Sequence, residues 1–83
     1  MKLTLRYFAS IREALGPVET IDVVAGSTVG SVRDALIARG GRHAEVLARG
    51  RALRCALNQV LCTEPAVIEA DGELALFPTV TGG

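Results

Sequence analysis

An α+β domain, with one main helix packed on one face of a sheet, is the fold class this sequence predicts. Three observations predict it. Residues 2–8 alternate apolar and polar, residues 28–39 carry apolar side chains at helical spacing, and beyond Gly40-Gly41 the chain returns to short apolar runs separated by turn residues.

The first strand covers residues 2–8. Leu3, Leu5 and Tyr7 fall on one face, and Lys2, Thr4, Arg6 and Phe8 on the other. Ser10-Ile11-Arg12-Glu13 then matches a capping box, with Ser10 as N-cap, and Gly16-Pro17 supplies a stop, so a helix of about two turns lies between them. Val18–Val24 reads as a second strand, ended by Ala25-Gly26. Thr28 is a good N-cap for the main helix, in which Val29, Val32 and Leu36 share a face until Gly40-Gly41 breaks it after Arg39. A shorter helical segment follows at Ala44–Ala48.

Leu53–Leu57 and Val60–Cys62 flank Asn58-Gln59, a two-residue hairpin turn. That register sets Leu57 opposite Val60, Ala56 opposite Leu61 and Cys55 opposite Cys62. Asp71-Gly72 is a turn, and Glu73–Phe77 is the last strand. Placed beside the first strand, it would bury Leu74 and Leu76 against Leu3 and Leu5.

Eighty-three residues make one domain, 1–83. Folding a chain of this size buries only about 60–65% of the unfolded surface, which leaves no room for both a core and a deep substrate cleft. Hydrophobic residues at 49% and charged ones at 22% are those of an ordinary globular protein. No apolar run approaches the roughly 18 residues of a spanning helix, and the N-terminus alternates instead of forming an apolar signal core. The expectation is a cytoplasmic protein without a membrane partner. Nine basic residues balance nine acidic ones, so no overall field draws nucleic acid. Arg39, Arg42, Arg49, Arg51 and Arg54 cluster, but no aromatic residue interleaves them, and they read as a solvated face.

Gly26-Ser27-Thr28-Val29-Gly30-Ser31 precedes a helix, yet no lysine follows and neither standard glycine fingerprint fits. The chain is therefore not expected to bind ATP unaided. Two cysteines and one distant histidine, His43, do not make a metal site; His43 reads as a surface loop residue without a role. Cys55 and Cys62 are close enough for a disulfide if the hairpin register holds, while a cytoplasmic setting favours two free, buried thiols.

More informative is the chain's end. Pro78 lacks an N–H and cannot extend a sheet ladder, so the strand before it should release the chain there. Thr79, Val80 and Thr81 are β-branched and favour an extended path, and Gly82-Gly83 lack a Cβ and can thread a narrow channel. Five extended residues span roughly 17 Å, enough to reach into a partner's active site. Residues 78–83 are thus read as a flexible tail, either a frayed and inert terminus or one that carries its own reactive group, the Gly83 carboxylate.

Three large side chains lie on strand faces that should be solvated: Phe8, Leu61 and Phe77. With the first and last strands adjacent, Phe8 and Phe77 would meet where the tail leaves. Either these rings are covered by a crossing segment, or they form a docking surface for a partner protein.

Leu5 to Gly16, Asn58-Gln59, Asp71-Gly72-Glu73 and Phe77-Pro78-Thr79-Val80-Thr81-Gly82-Gly83 closely resemble the small subunits of molybdopterin synthase, the MoaD family. The most specific part combines Tyr7-Phe8-Ala9 and Arg12-Glu13 with Phe77-Pro78, Val80 and Gly82-Gly83 of the terminus. The resemblance implies a ubiquitin-like β-grasp fold with a mixed sheet. It implies a sulfur carrier whose terminal glycine, Gly83, is adenylated by a MoeB-like activating enzyme that uses ATP, and is then converted to a thiocarboxylate. The tail would enter a MoaE-like large subunit within a heterotetramer and donate sulfur to cyclic pyranopterin monophosphate. Gly82 would be the slender neighbour of the reactive residue. Phe8, Leu61, Phe77, Pro78, Thr79, Val80 and Thr81 would bind the partners, and no cofactor or metal would be held by this chain alone. Many relatives have two prolines where this chain has Pro78-Thr79. The competing expectations are a sulfur carrier for thiazole, cysteine or tRNA thiolation, or a ubiquitin-like modifier or binding domain.

Overall fold

The computed structural model describes residues 1–79. Its elements run β1 (Lys2–Tyr7), α1 (Ala9–Leu15), β2 (Val18–Asp22), α2 (Val29–Ala38), α3 (Gly41–Val46), β3 (Leu53–Leu57), β4 (Val60–Cys62) and β5 (Gly72–Pro78). The strands form one sheet in the order β2-β1-β5-β3-β4. β1 and β5 are parallel neighbours at the centre, with Leu5 opposite Leu74 and Tyr7 opposite Leu76. The other pairings are antiparallel. This mixed sheet is the β-grasp arrangement that the resemblance implied.

Alternation along each strand decides the faces. Leu3, Leu5, Tyr7, Leu74, Leu76 and Cys55 point into a single core that Val29, Val32 and Leu36 of α2, Ile11 of α1 and Leu47 and Ile68 of the loops complete. The expected burial of Leu74 and Leu76 beside Leu3 and Leu5 is what the sheet shows. Thr28 caps α2 as expected: its hydroxyl accepts from the Ser31 N–H while the Ser31 hydroxyl accepts from the Thr28 N–H. The hairpin register is also as expected. Both Asn58 and Gln59 adopt positive φ, which matches the turn to the twist of the strands. Gly72 makes room beside that turn, because a Cβ there would stand 2.5 Å from the Asn58 side-chain oxygen that accepts from the Glu73 N–H and would displace it.

Several boundaries differ from the sequence reading. Ser10 is not an N-cap; it lies inside α1, whose first turn closes on the Phe8 carbonyl, which accepts from the Ile11 and Arg12 N–H groups. Phe8 stays extended, its N–H bonded to the Leu76 carbonyl, so β1 hands over to α1 one residue early through Ala9 at φ 52°. β2 stops at Asp22 rather than Val24, with the Val23 N–H bonded to the Met1 carbonyl. α3 starts three residues before Ala44, because Gly40 and Gly41 take positive φ and turn the chain directly into a new helix. β5 gains one residue at each end, and Pro78, opposite Leu53, is its last. No helix among the described residues is long and apolar enough to cross a membrane.

Candidate functional site

The helices cover one side of the sheet and leave the other open, and the register predicts which side chains meet on the open side. Val18, Arg6, Ala75, Ala56 and Leu61 form one row across β2, β1, β5, β3 and β4. Arg54 and Phe77 form the start of the next row, at the end of the sheet where β5 finishes. Phe8 continues the outward alternation of β1 and meets Phe77 there, ring centroids 6.3 Å apart in an edge-to-face pair. Such a pair contributes about 0.5–1.5 kcal/mol beyond its burial, enough to fix both rings in place.

Among the described residues no segment covers Phe8 or Leu61, while Phe77 is half-buried. Phe8 is 43% exposed, Leu61 62% and Val18 51%. Small Ala75 and Ala56 between Phe77 and Leu61 leave a flat floor, while Arg6, between Val18 and Ala75 and 3.6 Å from Glu73, and Arg54, opposite Phe77, bring charge into the patch. Exposed apolar side chains interspersed with arginine suit a protein-binding surface. Of the sequence-derived contact residues, Phe8, Leu61 and Phe77 thus share one face. Val18 was missed; its outward position depends on pairing with Arg6, which no local pattern in residues 18–24 reveals.

Pro78 and Thr79 leave the sheet half-buried beside a recess of about 300 Å³, lined also by Ser10, Ile11, Val46, Arg51 and Leu53. Val80, Thr81, Gly82 and Gly83, which the sequence assigns to partner binding and to the reaction, lie outside the described residues. Among the described residues no group of His, Cys, Asp and Glu could hold a metal.

The remaining polar clusters serve the scaffold. Arg33, only 5% exposed, donates from Nε to the Leu47 carbonyl (2.8 Å), from Nη2 to the Ala48 (2.6 Å) and Arg51 (3.0 Å) carbonyls, and from Nη1 to Glu64 (2.8 Å). It thereby shapes the loop that borders the tail recess. Arg49 pairs with Asp34 and Glu64, and Arg39 with Glu19, so these members of the basic cluster are neutralised locally and offer no phosphate patch. His43 is not a loop residue. It sits on α3, half-buried, its Nε2 3.1 Å from Glu19 Oε2. Glu19 also accepts from the Tyr7 hydroxyl at 2.9 Å. Burial alone would raise the Glu19 pKa, but hydrogen bonds from Arg39, His43 and Tyr7 outweigh it and hold the carboxyl below its ordinary value.

Comparison with known proteins bears on the family and the fold. A family model described as the ThiS family matches residues 5–83. Molybdopterin synthase sulfur carrier subunits from Haemophilus influenzae and Escherichia coli are each 35% identical, over 98% and 93% of this chain and 99% and 94% of theirs. Among solved structures, SAMP1 from Haloferax volcanii superposes with a TM-score of 0.78 at 27% identity, covering 100% of both chains. The fold is the ubiquitin-like β-grasp.

Proposed function

The chain belongs to the ThiS family, and on that premise we propose that it is the sulfur-carrier subunit of a molybdopterin synthase. The observation that carries this reading is the patch formed by exposed Phe8 and Leu61 and half-buried Phe77, on the sheet face beside the strand β5 that leads toward Gly82 and Gly83. Likeness over nearly the full length to two sulfur carrier subunits supports it.

In this reading the Gly83 carboxylate is the working group. Ionised at neutral pH, with a reference pKa of about 3.5, it is a poor acyl donor and must be activated. Its oxygen attacks the α-phosphorus of ATP on a MoeB-like enzyme, releasing pyrophosphate and leaving an acyl adenylate. Sulfur delivered at the sulfide level, as HS⁻, then attacks the acyl carbon and displaces AMP, and Gly83 ends in a thiocarboxylate. Phe8, Leu61 and Phe77 dock the body on the MoaE-like large subunit while Pro78, Thr79, Val80, Thr81 and Gly82 lead the thiocarboxylate into its active site. There sulfur passes to cyclic pyranopterin monophosphate. General acids and bases for both steps belong to the partners, so the chain is half of a sulfurtransferase and is not catalytic alone. All of these events take place in the cytoplasm.

A second reading rests on the likeness to SAMP1, a small archaeal modifier protein: Gly83 would be joined to lysines of other proteins. Intact mass spectrometry of the chain from its native cell separates the two. A fraction heavier by one oxygen-to-sulfur exchange is expected, and lysine conjugates without any thiolated form would overturn the carrier reading.

A further inference from the structure

The hairpin on the far side of β5 places two thiols against each other. Cys55 and Cys62 are direct cross-strand partners. Both are free, their Sγ atoms are 3.5 Å apart, and the Cys55 thiol donates to the Cys62 carbonyl at 3.3 Å. Cys55 faces the core and Cys62 is half-buried. A recess of about 260 Å³ at this edge is lined by Arg54, Cys55, Leu61, Cys62 and Glu64, among others, so space borders the cysteine pair. β4 is three residues long and pairs only with β3, at the edge of the sheet. The approach of about 1.5 Å needed to reach bonding distance therefore meets little resistance.

We propose that Cys55 and Cys62 form a redox-active dithiol that is oxidised by a low-molecular-weight disulfide of the glutathione class and closes into a cross-strand disulfide. Cys62 gives its proton to solvent, and its thiolate attacks one sulfur of the small disulfide, forming a mixed disulfide and releasing one small thiolate that takes up a proton. Cys55 then loses its proton and attacks the Cys62 sulfur, expelling the second small thiol. Two protein thiols become one disulfide, and one small disulfide becomes two thiols.

The order of attack follows from the surroundings. Burial, then the neighbouring Cys62 sulfur, pushes the Cys55 thiol up to about 12; Glu64 acts in the same sense and Arg33 against it. Cys55 suits the resolving step, where a sulfur already held alongside it makes up for its low acidity. The covalent bond would clamp β4 to β3 next to the Ala56–Leu61 pair, and so stiffen the edge of the open face. The inference does not rest on the sulfur-carrier reading, and its test reads the thiols alone.

Reduced full-length chain is exposed to excess oxidised glutathione, quenched with maleimide and weighed intact. The expected product has lost two hydrogens, carries no maleimide and keeps its native circular dichroism. Titrated against reduced and oxidised glutathione, the pair should show an effective concentration at least about ten-fold higher in buffer than in guanidinium, because folding holds the sulfurs together. Cys55→Ser should instead accumulate glutathione on Cys62, the trapped first intermediate. A wild-type chain that stops at a glutathione adduct, takes up two maleimides, or has the same effective concentration when unfolded would overturn the proposal.

Discussion

Glu19 shows how much one side chain can hold together without being part of the open face. Its carboxylate collects the Tyr7 hydroxyl from β1, Arg39 from the end of α2 and His43 from α3, partners that lie 12, 20 and 24 residues away. Nothing local in the sequence marks it, because its meaning comes from those distant donors; Arg33 escaped notice for the same reason, its acceptors being carbonyls of the Leu47–Arg51 loop. Phe8, Leu61 and Phe77, by contrast, were legible as residues, since an apolar side chain on the wrong face of an alternating strand contradicts the pattern in which it sits. Glu19 also makes a prediction. With its folded pKa below the ordinary 4.5, its stabilising contribution is fully present above that value and is lost as pH falls through the folded pKa. Glu64, lowered chiefly by the hydrogen bond from Arg49, acts in the same direction. Glu19→Gln should cost on the order of 1–2 kcal/mol at neutral pH and progressively less below about pH 4.5. Urea unfolding of both proteins from pH 7 to pH 3 measures this, and a difference independent of pH would refute the assignment.

At the level of elements, the hairpin and α2 were readable because each carries a signal that admits one solution. Two residues between two apolar runs allow only the register that pairs Cys55 with Cys62, and Thr28 followed by Val29, Val32 and Leu36 sets both the start and the buried face of α2. α1 was harder: Ser10 and Glu13 form a capping box in sequence, yet the sheet bond from the Phe8 N–H to Leu76 and the turn at Ala9 start the helix before Ser10 can cap it. A local signal lost to a non-local hydrogen bond. The same contrast predicts unequal costs of capping mutations. Thr28→Ala removes a hydroxyl that accepts from the Ser31 N–H and should cost about 1 kcal/mol. Ser10→Ala, which removes no cap, should change stability by less than about 0.5 kcal/mol. Equal losses in thermal or urea unfolding would show that the capping geometry is not as described.

Across the whole molecule, the sheet separates two tasks. The core lies between the helices and one face, so the open face can change without touching what holds the fold together. Central placement of β5 gives this separation its direction, because a strand paired along both edges is also the one that leads to the tail. Docking and sulfur transfer should therefore come apart under mutation. Deleting Gly83 should leave unfolding and large-subunit binding near wild type and abolish transfer. Phe77→Asp places a charge against the Phe8 ring and next to Ala75 and Ala56; it should weaken binding to the large subunit by at least about ten-fold, as loss of a central aromatic anchor typically does. Adenylation of the Phe77→Asp chain tests whether the activating enzyme grips the same patch: a matching loss there assigns the patch to both partners, and normal adenylation assigns it to the large subunit alone. Calorimetry of both variants against the large subunit decides the main point. Unchanged affinity for Phe77→Asp would sink the docking surface, whereas loss of folding on removal of Gly83 would mean that the end of the chain belongs to the core and is not a reagent carried outside it.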